Sequence, residues 1–290
     1  MPADLIVSTE WLAAHLDDPE VRVVDIRGYV ITRQLEPGVE QAIYQHAHNE
    51  YLEGHIPGAV YVDWTWDIID PDNPVAVQIA GPARFAEAMG ARGVGDNTHV
   101  VAVDHKGGQF ATRLWWALRY YGHGNVSVLE GGMKRWVDEG RPVTTAAPTV
   151  PRLVFTPREQ PEQRVTAEAL ASRLPEAELQ VIDARDHAQF TGAKRRGAHG
   201  GHIPGAINLP RELFFDQNNN FVAIDALRGL VEKSEIDSSR PVIAYCNGGV
   251  AATVVLFNLH RLGFRHLVNY DGSWNEWGNR ADLPVARGPN

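Results

Sequence analysis

The six residues Gly-His-Ile-Pro-Gly-Ala stand at positions 54–59 and again, unchanged, at positions 201–206. Further landmarks accompany both copies in the same order. In the first half they are Val-Val-Asp-Ile-Arg at 23–27, Val-Val-Ala-Val-Asp at 100–104 and Glu-Gly-Gly at 130–132; in the second half they are Val-Ile-Asp-Ala-Arg at 181–185, Val-Ile-Ala-Tyr-Cys at 242–246 and Asp-Gly-Ser at 271–273. An ordered repeat of this kind indicates that one domain of about 130 residues is duplicated.

The repeat divides the 290 residues into a first domain at 1–143, a linker at 144–161 and a second domain at 162–290. The linker carries prolines that interrupt both helices and central strands, namely Pro148, Pro151, Pro157 and Pro161. Within each domain, short β-branched runs alternate with longer amphipathic segments. This alternation predicts the α/β class, with two tandem domains that each form a mainly parallel sheet flanked by helices.

Composition and charge argue against several classes of function. The formal charge of −9 repels nucleic acid, and no dense basic stripe offsets it. No run approaches the roughly 18 apolar residues of a membrane span, and the N-terminus lacks a leader pattern, so we expect no membrane partner and a cytoplasmic protein. Cys246 is the only cysteine, which excludes an internal disulfide and a cysteine-rich zinc site. We therefore expect neither a metal nor another cofactor.

Cys246 lies where α/β proteins place their active residues. Residues 241–245 are predicted to form a buried strand, and residues 250–262 a helix that Gly263 ends. The cysteine therefore follows the carboxyl end of a strand, the edge at which such sheets bind ligands. The loop between strand and helix contains two glycines, which let several main-chain N–H groups point at one anion. We predict an anion cradle made of Asn247, Gly248, Gly249, Val250 and Ala251.

This cradle predicts a nucleophilic role for the Cys246 thiol. The loop amides and the positive end of the following helix both favour a thiolate. A thiolate can attack the outer sulfur of a donor and become a persulfide, whose terminal sulfur the same N–H groups stabilise. A lone cysteine without such a loop is more often a small buried hydrophobic residue. The strand, the glycines and the helix together favour the nucleophile.

The first domain has Asp104 at the position that matches Cys246. A carboxylate has no thiol chemistry to offer, so we predict that this domain forms no persulfide and instead helps to wall the cleft. The favoured role of Asp104 is a hydrogen bond that closes its loop, with an acid or base role as the alternative.

The landmarks together resemble the tandem-domain rhodaneses, the thiosulfate and 3-mercaptopyruvate sulfurtransferases, over almost the whole chain. The most specific pieces are the repeated hexapeptide, Asp-Ala-Arg at 183–185, the Cys-x-Gly-Gly-Val-Ala loop and Tyr-Asp-Gly-Ser-Trp-Asn-Glu-Trp at 270–277. The resemblance implies a sulfurtransferase in which Cys246 carries the sulfur. Its partners would be a small sulfur donor and a thiol or cyanide acceptor.

The resemblance also implies roles for residues outside the loop. It places Asp183 near the active loop, with a purely structural role for Asp183 and Arg185 as the alternative. The repeated hexapeptide resembles a tight turn that its proline and glycine fix. We interpret His202 in that turn as structural and favour the same for His55, whose alternative is a part in catalysis.

Departures from the family pattern bear on the sulfur donor. In the thiosulfate enzymes that this chain resembles, Arg and Lys follow the cysteine, whereas this chain has Asn247 and Gly248 at those positions. Gln189 stands where the family places an Arg that grips the donor's charged end. By position Arg195 is the candidate for a second anion-binding residue, with a solvated basic loop as the alternative. These residues favour 3-mercaptopyruvate over thiosulfate.

Two other functions stay open at this point. A non-catalytic sulfur carrier would tolerate the uncharged Gln189 and the missing hydroxyl at Gly248. Phosphatases of the same fold need a longer loop and an Arg six positions after the cysteine, where this chain has Ala252. Phosphatase activity is the less favoured of the two.

Overall fold

The computed structural model describes residues 4–176 and 178–288, whose strands form two five-stranded sheets and a separate hairpin. The strands of the first half are β1 (Ile6–Val7), β2 (Val21–Asp25), β3 (Gly28–Glu36), β4 (Val39–His46), β5 (Val60–Tyr61), β6 (His99–Val103) and β7 (Val126–Leu129). Those of the second half are β8 (Arg164–Val165), β9 (Gln180–Asp183), β10 (Ile207–Asn208), β11 (Val242–Tyr245) and β12 (Leu267–Tyr270).

Helices cover both faces of each sheet. The first half contains α1 (Thr9–Ala14), α2 (His48–Glu53), α3 (Pro82–Ala91), α4 (Gln109–Tyr120) and α5 (Gly132–Asp138). The second half contains α6 (Ala167–Arg173), α7 (His187–Thr191), α8 (Ile224–Lys233), α9 (Ala251–Arg261) and α10 (Ser273–Trp277), with 3₁₀ turns at Pro161–Gln163 and Arg211–Phe214. In the described residues, no helix has the combination of length and apolar character that crossing a membrane requires.

The two sheets have the same topology, which confirms the predicted fold class. The first sheet runs β1-β7-β6-β2-β5 and the second, read in the matching direction, runs β8-β12-β11-β9-β10. Every pairing in both sheets is parallel. The central strands β6 and β11 consist of Val, Ala, Ile and Tyr after their first residues, and those residues are buried because helices cover both faces.

The repeated sequence landmarks meet in space in each domain. Arg27 donates a hydrogen bond to the carbonyl oxygen of Gly54 (2.7 Å), and Arg185 does the same to that of Gly201 (2.7 Å). Each arginine also pairs with the aspartate two residues before it. The Asp-x-Arg motif therefore holds the start of the Gly-His-Ile-Pro-Gly-Ala turn against the end of a central strand, which explains why the two motifs recur together.

The histidines of the two turns are packed in the same way. His55 stacks on Tyr51, and its Nδ1 lies 2.8 Å from the Tyr51 carbonyl oxygen. His202 stacks on Phe190, and its Nδ1 lies 2.8 Å from the Phe190 carbonyl oxygen. Both rings are buried. This environment agrees with the structural role that we expected for both.

The hairpin β3–β4 has no counterpart among the described residues of the second half. Its strands pair antiparallel, and its turn reaches the second domain, where Glu40 N–H donates to the carbonyl oxygen of Arg195 (2.9 Å) and Arg195 N–H donates to that of Gly38 (2.8 Å). The sequence analysis did not identify this hairpin. Because it bridges the domains, it brings residues of the first domain to the loop that contains Cys246.

Helices α4 and α9 pack against each other and join the two domains. The buried core is continuous across this contact, with Phe110 and Leu114 from α4 and Val254 and Phe257 from α9 in one cluster. A polar contact lies inside it, where the hydroxyl oxygens of Thr112 and Thr253 are 3.1 Å apart. The amino ends of both helices follow the matching loops, so this packing also fixes the two loops relative to each other.

A buried ion pair crosses the interface close to the Cys246 loop. Arg113 Nη1 lies 2.5 Å from Asp271 Oδ1 and 3.3 Å from the carbonyl oxygen of Gly249. The other guanidinium nitrogen, Nη2, donates to the carbonyl oxygen of Val77 (3.0 Å). Both charged side chains are inaccessible to solvent. The second carboxylate oxygen of Asp271 accepts a hydrogen bond from Ile79 N–H (2.8 Å), so the first domain contacts this pair from two segments.

Candidate active site

Cys246 lies between β11 and α9, directly after the central strand of the second sheet. Its side chain is buried at the base of a cavity of about 130 Å³. Both domains line this cavity: the hairpin contributes Val30, Thr32 and Tyr44, and most of the remaining wall comes from the second domain. The thiol is therefore reached from a small cleft between the domains.

The loop after Cys246 matches the loop after Asp104 at Gly249 and differs one residue later, where Val250 has φ −85° and the matching Gly108 has φ +109°. Gly249 has φ +71° and the matching Gly107 has φ +70°, values that glycine adopts without strain. The carbonyl oxygen of each loop's first residue also accepts the same hydrogen bond, from Trp274 N–H in one case (3.0 Å) and from Met133 N–H in the other (2.8 Å). The first loop can therefore be read as a template for the second.

In the first domain this loop already surrounds an anion. The Asp104 carboxylate accepts hydrogen bonds from the N–H groups of Lys106, Gly108, Phe110 and Ala111, at 2.7 to 3.0 Å. Two of these groups belong to the loop and two to the first turn of α4. The carboxylate thus closes its own loop, in line with the favoured interpretation of Asp104.

The second loop has main-chain N–H groups at the matching positions and a thiol in place of the carboxylate. The positions that match three of those four donors are Gly248, Val250 and Ala252, and none of their N–H groups donates to another group in the part of the chain that the structure describes. Gly249 N–H and Cys246 N–H both donate to the hydroxyl of Ser273, at 3.0 and 3.1 Å. Within the predicted cradle at 247–251, the N–H group of Gly249 is therefore already hydrogen-bonded to Ser273. The sequence analysis did not identify Ser273 as a site residue.

Asn247 and Gln189 belong to a polar chain that leads to the hairpin. Asn247 Nδ2 donates to Gln189 Oε1 (2.9 Å), and Gln189 Nε2 donates to the Glu40 carboxylate (3.2 Å). Gln189 is buried, and both it and Asn247 line the cavity. The predicted position of Gln189 at the site is thus reproduced, and its amide couples the active loop to the first domain.

Three cations line the cavity: Arg185, Arg196 and Arg211. Arg196 donates to the hydroxyl of Thr32 (2.6 Å), and its Nε lies 3.4 Å from the Glu40 carboxylate. Arg195, the predicted second anion-binding residue, instead donates to the carbonyl oxygen of Gly197 (2.8 Å) and is not part of the wall. The geometry therefore favours Arg196 over its neighbour for contact with a bound anion.

Glu40 is a buried carboxylate beside these cations. Its oxygens lie 3.0 Å from Lys194 Nζ and 3.4 Å from Arg196 Nε. Burial alone would raise its pKa, but the hydrogen bond from Lys194 and the charge of Arg196 lower it overall. Glu40 therefore stays ionised at neutral pH and balances positive charge next to the cavity.

Asp183 and Arg185 form a buried ion pair, and Arg185 also lines the cavity. The guanidinium Nη2 lies 2.5 Å from the Asp183 carboxylate, which also accepts a hydrogen bond from the Tyr245 hydroxyl (2.7 Å). The guanidinium stacks 4.1 Å above the Trp274 ring. Burial opposes the charge, but Asp183 raises the pKa of Arg185 overall. The Asp183 carboxylate is thus satisfied within the protein, which fits its structural alternative. Arg185 borders the cavity, and its substrate-binding role stays a prediction.

Tyr44 is a site residue that the sequence analysis missed. Its hydroxyl accepts a hydrogen bond from Asn275 Nδ2 (2.8 Å), and a β-carbon placed on Gly248 would lie 3.4 Å from that oxygen. Burial raises the pKa of Tyr44, and the nearby Cys246 adds to the increase. A strand-forming segment that is present in only one copy of a duplicated domain, as residues 28–46 are, is the signal that would have drawn attention to it.

The site contains no arrangement that would hold a metal. Among residues 4–176 and 178–288, no three His, Cys, Asp or Glu side chains cluster as the ligands of an ion would.

Comparison with known proteins agrees with the fold. The rhodanese-like domain family matches residues 8–139 and 166–280. The 3-mercaptopyruvate sulfurtransferase of Escherichia coli strain K12 is 36% identical over 291 residues, covering 98% of this chain and 99% of the relative. The thiosulfate sulfurtransferase of Bos taurus is 32% identical over 286 residues, covering 95% and 92%. The sulfur carrier protein TtuD of Thermus thermophilus is 31% identical over 298 residues, covering 98% and 97%.

Solved structures give the same result. The crystal structure of SseA from Escherichia coli, a 3-mercaptopyruvate sulfotransferase by its description, has a TM-score of 0.82 at 32% identity and covers 94% of this chain and 99% of that one. A structure of EanB in complex with ergothioneine has a TM-score of 0.83, covering 99% of this chain and 70% of that one, and at 23% identity it shows a likeness of fold alone. The chain therefore belongs to the rhodanese family, with two rhodanese-like domains in tandem, and is a sulfurtransferase.

Proposed function

We propose that Cys246 carries sulfane sulfur as a persulfide from a small anionic donor to a thiol or cyanide acceptor. The observation that carries this proposal is the pair of matching loops. In the first domain the loop satisfies the Asp104 carboxylate with four N–H groups, and in the second the same loop begins at a thiol. Hydrogen bonds that stabilise a carboxylate there would stabilise a thiolate or a persulfide anion here.

The reaction with 3-mercaptopyruvate is balanced as follows. The Cys246 thiolate attacks the thiol sulfur of the donor, so that an S–S bond forms and the C–S bond breaks. The electron pair of the C–S bond passes to carbon and gives the enolate of pyruvate. The sulfur loses one proton and the enolate gains one, so the products are a persulfide anion and pyruvate. An acceptor thiolate or cyanide then removes the terminal sulfur and restores the Cys246 thiolate.

Tyr44 is the group that we assign to the proton transfer. Its oxygen already accepts a hydrogen bond from Asn275 Nδ2, which leaves the phenolic proton available to the cavity. Its raised pKa keeps that proton in place at neutral pH. We infer that the hydroxyl donates its proton to the enolate and recovers one from the persulfide. Transfer from thiosulfate needs no such step, because sulfite leaves as an anion.

The charges around the cavity favour 3-mercaptopyruvate, a carboxylate with one charge, over thiosulfate with two. Arg185, Arg196 and Arg211 supply positive charge to the wall, and Asp186 and Glu212 line the same cavity with negative charge. The Glu40 carboxylate lies next to Arg196 and offsets part of the positive charge of its guanidinium group. A dianion loses more hydration free energy than a monoanion on entering the cavity, and a wall with nearly equal numbers of both signs compensates little of that loss. We assign Arg196 and Arg211 to the donor's carboxylate and place the reaction in the cytoplasm, where acceptor thiols stay reduced.

The test is sulfur transfer to cyanide, measured as thiocyanate, for the wild-type protein and Cys246→Ser. With 3-mercaptopyruvate we expect turnover that Cys246→Ser abolishes, while circular dichroism shows that this variant is folded. Mass spectrometry of the donor-treated wild type should show the gain of one sulfur atom, located on the peptide that contains residue 246. Full activity in Cys246→Ser would disprove the proposal.

A sulfur carrier without catalytic turnover is the alternative that the same experiment separates. It would load one sulfur atom on Cys246 yet release thiocyanate only stoichiometrically. The donor comparison runs in parallel: kcat/KM for 3-mercaptopyruvate should exceed that for thiosulfate, and the opposite order would overturn the donor assignment.

A further inference from the structure

A second cavity lies at the domain interface, at the far end of α4 and α9 from the active loop. Its volume is about 380 Å³, and its walls come from the last turns of both helices, the start of β12 and residues 162–165. Helix α9 has 11 residues and begins beside Cys246, so at about 1.5 Å per residue this cavity is roughly 15 Å from the thiol. A ligand in the second cavity therefore leaves the active cleft free.

Positive charge in this cavity is left without an acidic partner. Arg119 and Arg265 both line it, and in the described part of the chain neither forms an ion pair with a carboxylate. Burial lowers the pKa of Arg119, and the charge of Arg265 lowers it further. Burial and the same two arginines lower the pKa of His260 to about 4. The charge of Arg265 therefore acts on both Arg119 and His260 in this cavity.

The other charged residues of the wall do not remove this excess. Arg164 lies 3.6 Å from the Asp271 carboxylate, and Arg173 lies 3.1 Å from that of Glu176, so both already have acidic partners. Glu162 is the acidic residue of the lining and is exposed. The protein as a whole has a net charge of −9, so a cavity with two arginines that lack acidic partners differs in charge from the rest of the chain.

Trp115, which lines the same cavity, carries an unsatisfied hydrogen-bond donor. Trp115 is 3% exposed, and its indole Nε1 has no hydrogen-bond partner among the described residues. The ring packs edge-on against Phe257 with centroids 5.1 Å apart, and the Arg119 guanidinium lies 5.3 Å from the ring centroid. A buried N–H without an acceptor is costly, so its presence beside two unpaired guanidinium groups indicates a ligand that brings oxygen acceptors.

We propose that this interface cavity binds an oxyanion of the phosphate class, held by Arg119 and Arg265 with the Trp115 indole N–H as a third donor. Guanidinium groups match the geometry of phosphate oxygens and pair with them through two hydrogen bonds. The same chemistry suits inorganic phosphate and the phosphate of a nucleotide. This inference does not depend on the sulfur chemistry at Cys246.

Isothermal titration calorimetry and the indole N–H signals in ¹H–¹⁵N NMR spectra test the proposal at constant ionic strength. Inorganic phosphate and ADP are titrated separately, with chloride as the control anion. We expect one indole signal to shift, and Trp115→Phe, which keeps the aromatic ring, should remove that signal. Tighter binding of phosphate would indicate a free anion, and tighter binding of ADP an esterified one; both support the site.

Variants make the test specific. Arg119→Gln and Arg265→Gln should each weaken binding about ten- to hundredfold. Arg228→Gln, an exposed arginine of α8 that pairs with Asp225, is the matched control and should bind like wild type. Binding to Cys246→Ser should be unchanged. The proposal is overturned if neither anion shifts the Trp115 signal beyond the effect of chloride, or if Arg119→Gln and Arg228→Gln bind equally well.

Discussion

Replacing Tyr44 with Phe removes one hydroxyl from the active cavity and keeps the aromatic ring. The ring packs edge-on against Trp64, with centroids 5.7 Å apart, and that contact survives the substitution. The hydroxyl is the donor that we assign to the enolate formed from 3-mercaptopyruvate. Its loss should therefore slow that reaction while sparing sulfur transfer from thiosulfate, whose leaving group needs no proton.

The size of the effect follows from the interaction that is lost. A hydrogen bond to a charged group contributes about 1.5–3 kcal/mol, and about 1.4 kcal/mol corresponds to a tenfold change in rate. We therefore expect kcat/KM for 3-mercaptopyruvate to fall about 10- to 150-fold in Tyr44→Phe. With thiosulfate the change should stay within about threefold, a difference of less than 1 kcal/mol.

The assay measures thiocyanate formation with each donor for both proteins. Asn275 Nδ2 loses its acceptor in the variant, and any disturbance of the loop from that source affects both donors equally, so the ratio between donors isolates the proton transfer. Tyr29→Phe is the matched control, since Tyr29 lies on the same hairpin but outside the cavity lining. Equal losses with both donors, or an undiminished rate with 3-mercaptopyruvate, would refute the role of Tyr44.

Three further outcomes are expected. Glu40→Gln removes the negative charge that offsets Arg196 and Lys194, so kcat/KM for thiosulfate should rise by up to about tenfold relative to kcat/KM for 3-mercaptopyruvate. An unchanged ratio of the two kcat/KM values in steady-state assays would contradict this prediction. Asp104→Ala leaves four N–H groups without their acceptor and should lower the free energy of unfolding by about 2–4 kcal/mol in urea titrations; a loss below 1 kcal/mol would argue against the loop-closing role. The pKa of His260 falls from 6.5 to about 4 on folding, so below pH 6.5 the unfolded chain binds a proton that the folded protein does not. Stability should thus decline between pH 6.5 and pH 4, by about 1–2 kcal/mol after allowance for partial exposure, and His260→Asn should flatten this decline in urea titrations without phosphate.

The duplicated fold could be predicted because its signal is local and repeated. The landmark at 23–27 and its copy at 181–185 both become central strands followed by the same arginine contact. The position of Cys246 at a strand end followed from the same pattern, since a buried run, two glycines and a helical segment are visible in sequence order.

The hairpin and its contacts could not be predicted in this way. Residues 28–46 have no counterpart in the second half, and their value to the site depends on contacts such as Gln189 with Glu40, 149 residues apart. For the same reason, the sequence could not show which of Arg195 and Arg196 contacts the cavity. Both lie in a segment without regular secondary structure, where counting residues does not determine which side chain turns toward the cleft.

The buried pair of Arg113 and Asp271 limits how the enzyme can open. Swinging the two lobes apart about a hinge would leave a guanidinium and a carboxylate in apolar surroundings, at a cost of several kcal/mol that donor binding would have to repay each turnover. The lobes should accordingly behave as one mechanical unit. We therefore expect donors to reach Cys246 without separation of the lobes, which two main-chain hydrogen bonds between the hairpin turn and Arg195 also join.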